Sequence, residues 1–220
     1  MSSRPAVLFD VDGTLVDTTY LHTLAWWRAL TDAGHELAMA SVHHVIGMGS
    51  SELLTELIGR DDPALSDAHG HQFQRLKGEL RVLPGARDLV EEVSRRGAAV
   101  VLATSAQSRD LDDLLRVLDL GDLVDHVTHS ADVEEAKPAG EIFRTALAGV
   151  GARAERSIVI GDTPWDVEAA AKAGLETVAV QTGGHGAVEL RQAGAVGVYR
   201  DPAHLLDELD DSPVGRVIGA

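Results

Sequence analysis

The sequence predicts an α/β protein: a doubly wound parallel sheet with a small all-helical domain inserted into it. Three observations predict this. Short apolar runs recur along the 220 residues, and most are near-continuous rather than alternating, as strands covered on both faces are. Stretches with helical periodicity lie between them, the alternation that builds a parallel sheet with right-handed crossovers. One long stretch after the first run carries helical periodicity and no convincing strand.

The first strand is Ala-Val-Leu-Phe, residues 6–9. Further strands are expected at 98–103, 123–127, 157–160, 177–180 and 195–199. Helices are expected at 86–96, 109–118, 141–148 and 167–173. Gly97, Gly121, Gly151 and Gly174 stand where helix C-caps belong, because the closing residue often adopts a left-handed conformation that glycine enters freely. In the helical stretch, Leu21, Leu24, Ala25 and Leu30 form one apolar face. Leu53, Leu54, Leu57 and Ile58 form a second, and Phe73, Leu76 and Leu80 a third, with Asp61-Asp62-Pro63 punctuating the middle. The chain returns to the sheet at Leu83-Pro84-Gly85. These readings divide the chain into a core domain of residues 1–17 and 83–220 and a helical domain of 18–82. The tail, 210–220, is polar and punctuated by Gly and Pro at first, and is expected to be weakly ordered.

Composition narrows the function. Nineteen Lys and Arg against 35 Asp and Glu leave a formal charge of −16, which argues against nucleic acid and anionic membrane surfaces as partners. A phosphorylated small molecule stays open, because a bound metal can make one site electropositive inside an acidic protein. The chain has no cysteine, so disulfides and thiol catalysis are excluded. No apolar stretch reaches the roughly 20 residues of a membrane span. Met1-Ser2-Ser3-Arg4-Pro5 runs into the first strand without an apolar leader region. A cytoplasmic protein, monomeric or homodimeric, is expected.

The residues that carry chemistry sit where strands end. Val7-Leu8-Phe9 delivers Asp10 to the end of a buried strand, and Asp12 follows before Gly13-Thr14 break it. Two carboxylates at such a place are costly unless a cation compensates them. Carboxylates so placed suit nucleophilic and acid–base catalysis. The second strand ends in Thr104-Ser105, whose hydroxyls and amides can hold phosphate oxygens. Lys137 precedes Pro138, which the first turn of a helix tolerates, and can bring a positive charge beside the nucleophile. The fourth strand ends in Gly161-Asp162, followed by Thr163-Pro164-Trp165-Asp166. Asp162 can join Asp10 on a hard cation that prefers oxygen ligands, Mg²⁺ above all.

These segments, DVDGT, the strand ending in Thr104, Lys137-Pro138 and GDTPWD, resemble in order and flanking sequence the four motifs of the haloacid dehalogenase superfamily. The resemblance spans about residues 6–200 and implies a Rossmann-like core with roles for each residue. Asp10 would be the nucleophile that takes the phosphoryl group, and Asp12 would protonate the leaving oxygen and then activate water. Thr104 would bind a phosphoryl oxygen, and Lys137 would neutralise nucleophile and phosphate. Asp10, Asp162 and the backbone carbonyl of Asp12 would bind Mg²⁺, with Asp166 supporting them directly or from behind. The superfamily's dehalogenases lack the second aspartate, since a halide leaves without a proton. Asp12 therefore turns the expectation toward phosphate esters.

The helical insert resembles the C1 cap of the phosphoglycolate phosphatase and β-phosphoglucomutase groups. That resemblance marks His22, Trp26 and the Gly47-Met48-Gly49 loop, with Ser105, as candidate substrate contacts. The mutase grips a distal phosphate through a cap arginine, where this chain has Ser50, and no arginine occurs between Arg28 and Arg60. A phosphatase is the first expectation, a sugar phosphomutase the second, and a non-catalytic phosphoaccepting or interaction module the third. His43-His44 and His69-Gly70-His71 are expected to be solvated. Gly183-Gly184-His185-Gly186 lacks the spacing and lysine of a phosphate-binding P-loop and is expected to be a flexible loop.

Overall fold

The computed structural model describes residues 4–219. Its elements in chain order are β1 (Ala6–Phe9), α1 (Thr19–Asp32), α2 (Met39–His44), α3 (Ser50–Ile58), α4 (Pro63–Gln74) and α5 (Ala86–Arg95). There follow β2 (Ala99–Ala103), α6 (Ser108–Leu118), β3 (His126–Thr128), α7 (Glu141–Val150), β4 (Ser157–Gly161) and α8 (Pro164–Lys172). The chain closes with β5 (Glu176–Val180), α9 (Ala187–Ala193), β6 (Gly197–Tyr199), α10 (Pro202–Asp207) and α11 (Pro213–Ile218).

The six strands form one parallel sheet in the order β3-β2-β1-β4-β5-β6. Successive side chains of a strand point to opposite faces, so β1 feeds two cores. Val7 and Phe9 pack with Val100, Leu102, Ile158 and Ile160. Ala6 and Leu8 pack with Val101 and Val159, and with Ile142 and Phe143 of α7. This two-sided burial is why the strands read as continuous apolar runs. Phe9 lies opposite Leu102 of β2 and Ile160 of β4. The residues just beyond these three meet at one edge, where strand order reverses and open sheets bind their ligands.

Helices α1 to α4 lie between two linkers that pair with each other: Leu83 N–H donates to Leu15 O and Asp17 N–H to Arg81 O, both at 2.9 Å. Trp26, Leu30, Val42, Leu53, Leu54 and Leu65 form a separate core within this insert. Phe73 and Leu80 instead join the core of the sheet. No helix among the described residues is long and apolar enough to cross a membrane.

Several expectations need correction. The tail is ordered: Ser212 caps α11, its hydroxyl accepting from Gly215 N–H at 3.0 Å and donating to Leu209 O at 2.7 Å, while Val214 and Ile218 are buried on the sheet's core. The capping serine followed by Pro213 is the local signal for that helix. The strand expected at 123–127 is His126–Thr128, preceded by a short 3₁₀ turn at Gly121–Leu123. The sixth strand starts at Gly197 rather than 195, because Ala195 N–H closes α9 by donating to Leu190 O. Pro138 is outside a helix: a turn donates Ala139 N–H to Ala136 O, and α7 begins at Glu141. Met1, Ser2, Ser3 and Ala220, which the readings of the N-terminus and the tail include, lie outside the described residues.

Candidate active site

Asp10 is fixed by the sheet itself, its N–H donating to Ile160 O at 2.9 Å. The chain then turns tightly, with the N–H groups of Leu15 and Val16 both donating to Val11 O. Gly13 makes the turn possible twice over. Its φ is +81°, and a Cβ there would stand 2.3 Å from Asp162 Oδ2. A Cβ on Gly183, in the turn after β5, would stand 1.9 Å from the same atom. Two glycines thus let backbone close around one carboxylate.

Lys137 reaches this edge from the loop before α7 and is 1% exposed. Its ammonium lies 2.5 Å from Asp10 Oδ1 and 2.8 Å from Asp166 Oδ1, and donates to Ala103 O at 3.3 Å. Asp166 is committed through Oδ2, while its buried Oδ1 faces the Lys137 ammonium and has no other partner among the described residues. Its Oδ2 accepts from Asp162 N–H, Thr163 N–H and Thr163 Oγ1 at 3.2, 3.0 and 2.7 Å, and Thr163 in turn caps α8 by accepting from Asp166 N–H. Asp166 therefore organises the start of a helix and aims a lysine. Asp162 accepts from Thr14 Oγ1 at 2.7 Å through Oδ1, and its buried Oδ2 has no hydrogen-bond partner.

Three buried carboxylates, Asp10, Asp162 and Asp166, thus surround one buried ammonium. With all three ionised the cluster holds a formal excess of two negative charges. Burial pushes the Asp10 carboxyl up to about 7, opposed by Lys137 and reinforced by Asp166 and Asp12. Burial, with Asp166 and Asp10 adding repulsion, raises Asp162 well above the carboxylate range. The orphaned Oδ2, the all-oxygen donor set and the twofold negative excess fit a hard divalent cation.

Asp12 faces different neighbours. Thr104 Oγ1 donates to its Oδ2 at 3.0 Å, and His22 Nε2 lies 3.3 Å from its Oδ1. Burial pushes this carboxyl up, but bonds from His22, Thr18 and Thr104 outweigh it and hold Asp12 below its ordinary value. Two carboxylates two residues apart therefore differ in proton affinity, the condition for distinct acid–base roles. Thr104 Oγ1 also accepts from Ala106 N–H at 2.9 Å. The Ser105 hydroxyl is buried without a partner and lines the cleft above Asp10.

The insert supplies the opposite wall: His22, Trp26, Gly47, Met48 and Leu53 line the cleft with Asp10 and Asp12. Gly47 has φ +100°, and a Cβ there would meet Thr163 Cγ2 at 2.9 Å. Gly49 N–H donates to Lys137 O at 3.1 Å.

His69, expected to be solvated, is 7% exposed. Its Nε2 lies 3.1 Å from His22 Nδ1, and its ring stacks on Trp26 at 4.2 Å. The ring of His22 stacks on Phe73 at 4.0 Å. Leu65, His69 and Phe73 stand four apart on α4 and are all buried. That spacing was the signal for His69, since residues four apart share a helix face. His43 is not free either: it donates from Nε2 to Gly183 O at 2.8 Å. Of the histidines expected in solvent, His44 and His71 are exposed.

The family model described as haloacid dehalogenase-like hydrolase matches residues 5–174. The phosphorylated carbohydrates phosphatase of Thermotoga maritima is 29% identical over 213 residues, covering 94% of this chain and 98% of that protein. The phosphoglycolate phosphatase of Rhodospirillum rubrum is 30% identical over 230 residues, covering 98% and 95%. The crystal structure of a hydrolase from Pseudomonas syringae matches with a TM-score of 0.90 at 33% identity, covering 94% of this chain and 99% of that one.

Proposed function

The chain belongs to the haloacid dehalogenase-like hydrolase family, and from that premise we propose a Mg²⁺-dependent phosphatase that hydrolyses a small phosphomonoester through an aspartyl-phosphate on Asp10. The observation that carries this reading is the contrast between Asp10, paired with buried Lys137, and Asp12, held at the cleft by His22 and Thr104. In this reading one attacks and the other moves protons.

Lys137 engages Oδ1 of Asp10, and the second oxygen of that carboxylate attacks phosphorus. As the new O–P bond forms, the ester O–P bond breaks, and Asp12 gives its proton to the departing oxygen. Asp12 then takes a proton from water, whose oxygen attacks the aspartyl-phosphate and releases inorganic phosphate. The bonds from His22 and Thr104 favour the carboxylate form needed in the second step. The negative charge of an arriving ester raises the proton affinity needed in the first. The Ser105 hydroxyl, without a partner in the protein, is assigned to a phosphoryl oxygen.

Asp10, Asp162 and the backbone carbonyl of Asp12 would hold Mg²⁺, which when bound neutralises charge on the transferring phosphoryl group. Asp166 is assigned as a positioning residue for Lys137, since its oxygens are already engaged.

Among the described residues no Lys or Arg lines the cleft, and the insert's side of it is mainly apolar, with Trp26, Ile46, Met48 and Leu53. On that side a second phosphate would meet mainly apolar side chains. This favours hydrolysis of a monophosphate, of the sugar phosphate or phosphoglycolate type that the relatives' names suggest, over a mutase working through a bisphosphate. Phosphate release from a panel of sugar phosphates and phosphoglycolate, with and without Mg²⁺, tests the reading. Mg²⁺-dependent release that is abolished in Asp10→Asn is expected. Full activity in that variant, or conversion of β-glucose 1-phosphate to glucose 6-phosphate without net release, would overturn it.

A further inference from the structure

Away from the acidic cluster, a second group of potential ligands gathers where the insert meets the core. His44 ends α2 in the insert, His185 lies just before α9, and Glu189 lies on α9. One ligand atom from each falls within 4.8 Å of the others. Glu189 Oε1 is 3.0 Å from His185 Nδ1 and 3.9 Å from His44 Nδ1. We propose that His44, His185 and Glu189 form a second metal site, for a transition-metal ion of the zinc class, that ties the helical insert to the α/β core.

The ligand chemistry separates this site from the first. The acidic cluster offers only oxygens and suits a hard cation, whereas two imidazoles and a carboxylate suit zinc and its neighbours. A tetrahedral zinc ion with bonds of about 2.0–2.2 Å holds its ligand atoms about 3.3 Å apart, and the two measured separations bracket that spacing. Three protein ligands leave the fourth position to water.

The surroundings brace the ligands. The side chain of His185 is 3% exposed. His43 stacks on His185 at 5.6 Å and donates to Gly183 O. Gly184, with φ +85°, makes room for this packing: a Cβ there would stand 2.8 Å from both His43 Nε2 and the Tyr20 hydroxyl. The segment expected to be a flexible loop is therefore a seat for two imidazoles.

The seat is also joined to the catalytic edge. Gly183 packs against Asp162, and Thr182 Oγ1 donates to Gly13 O at 2.5 Å. An ion at His44, His185 and Glu189 would hold both the insert and the segment behind Asp162, and so restrain opening of the cleft between them.

Zinc binding to the tag-free full chain, measured by competition with a chromogenic chelator under saturating Mg²⁺, tests the proposal. One zinc per chain with micromolar or tighter affinity is expected. His44→Ala, at a side chain 65% exposed and so tolerant of change, should weaken it roughly tenfold or more, as should Glu189→Gln. Asp162→Asn should leave it within about threefold. No zinc retained by the unaltered chain, equal affinity in His44→Ala, or loss in Asp162→Asn alone would each overturn the proposal.

Discussion

The Lys137 ammonium lies 2.5 Å from Asp10 Oδ1, with both side chains almost wholly removed from solvent. The pair cannot be broken from one side without leaving charge buried alone. Lys137→Ala should therefore lose activity by at least about two orders of magnitude. It should also destabilise the metal-free protein by about 3–5 kcal/mol, read from denaturant unfolding. Activity loss with unchanged stability would show that the lysine is not compensating buried carboxylates.

On the proposed mechanism Asp166 acts through Lys137 and through the first turn of α8. Asp166→Asn should lower kcat while KM stays close to its original value, because the cleft wall is unchanged. Its Mg²⁺ affinity should fall much less than that of Asp162→Asn, which removes the charge from a carboxylate whose Oδ2 has no partner among the described residues. Equal losses of Mg²⁺ affinity in titrations of the two variants would make Asp166 a direct ligand.

The contacts from Asp12 to His22 and from His22 to His69, at 3.3 and 3.1 Å, predict a coupled unit. His22→Ala should reduce kcat about tenfold, and His69→Ala less. The double variant should be no slower than His22→Ala alone, because neighbours in one network are not additive. Independent, multiplying effects in the double-mutant cycle would show that His69 acts on something other than His22.

The acidic cluster gives metal binding a pH signature. Asp10 titrates near 3.8 when unfolded and about 7 in the folded, metal-free protein. The folded state therefore keeps a proton that the unfolded state has released across that window. Its contribution to stability is complete below about pH 3.8 and is lost as pH rises through 7. Mg²⁺ held by Asp10 would replace that proton, so the rise in Tm on adding Mg²⁺ should be larger at pH 8 than at pH 5.5. A Tm increment that is constant or falls with pH would contradict the assignment of Asp10 to the metal.

Much of this was legible in the chain. Val7-Leu8-Phe9 and Ile158-Val159-Ile160 read as two-sided strands because apolar residues fill both faces; the first leads straight to Asp10 and the second, through Gly161, to Asp162. Asp10, Asp12 and Asp162 meet at one edge because strand ends fix where side chains go, and Lys137 reaches that edge from the loop before α7. His69 was missed because its neighbour His71 suggested a polar pair, whereas the deciding pattern was Leu65-His69-Phe73 along one helix face. The His185 seat was missed because its partner His44 is 141 positions away in sequence, on a helix of the insert. The order of α11 rests on a capping serine, a signal one residue long that glycine and aspartate nearby obscured.

The division of labour between Asp10 and Asp12 is the centre of the account, and an aryl phosphate with a good leaving group isolates it. Such a leaving group departs without a proton, so Asp12→Asn should still form the aspartyl-phosphate but fail to hydrolyse it. Rapid mixing of Asp12→Asn with p-nitrophenyl phosphate and Mg²⁺ should give a burst of about one nitrophenolate per chain, followed by near-arrest. The same experiment with Asp10→Asn should give no burst. A linear progress curve without a burst in Asp12→Asn, whether fast or slow, would contradict the assignment of Asp10 as nucleophile and Asp12 as proton shuttle.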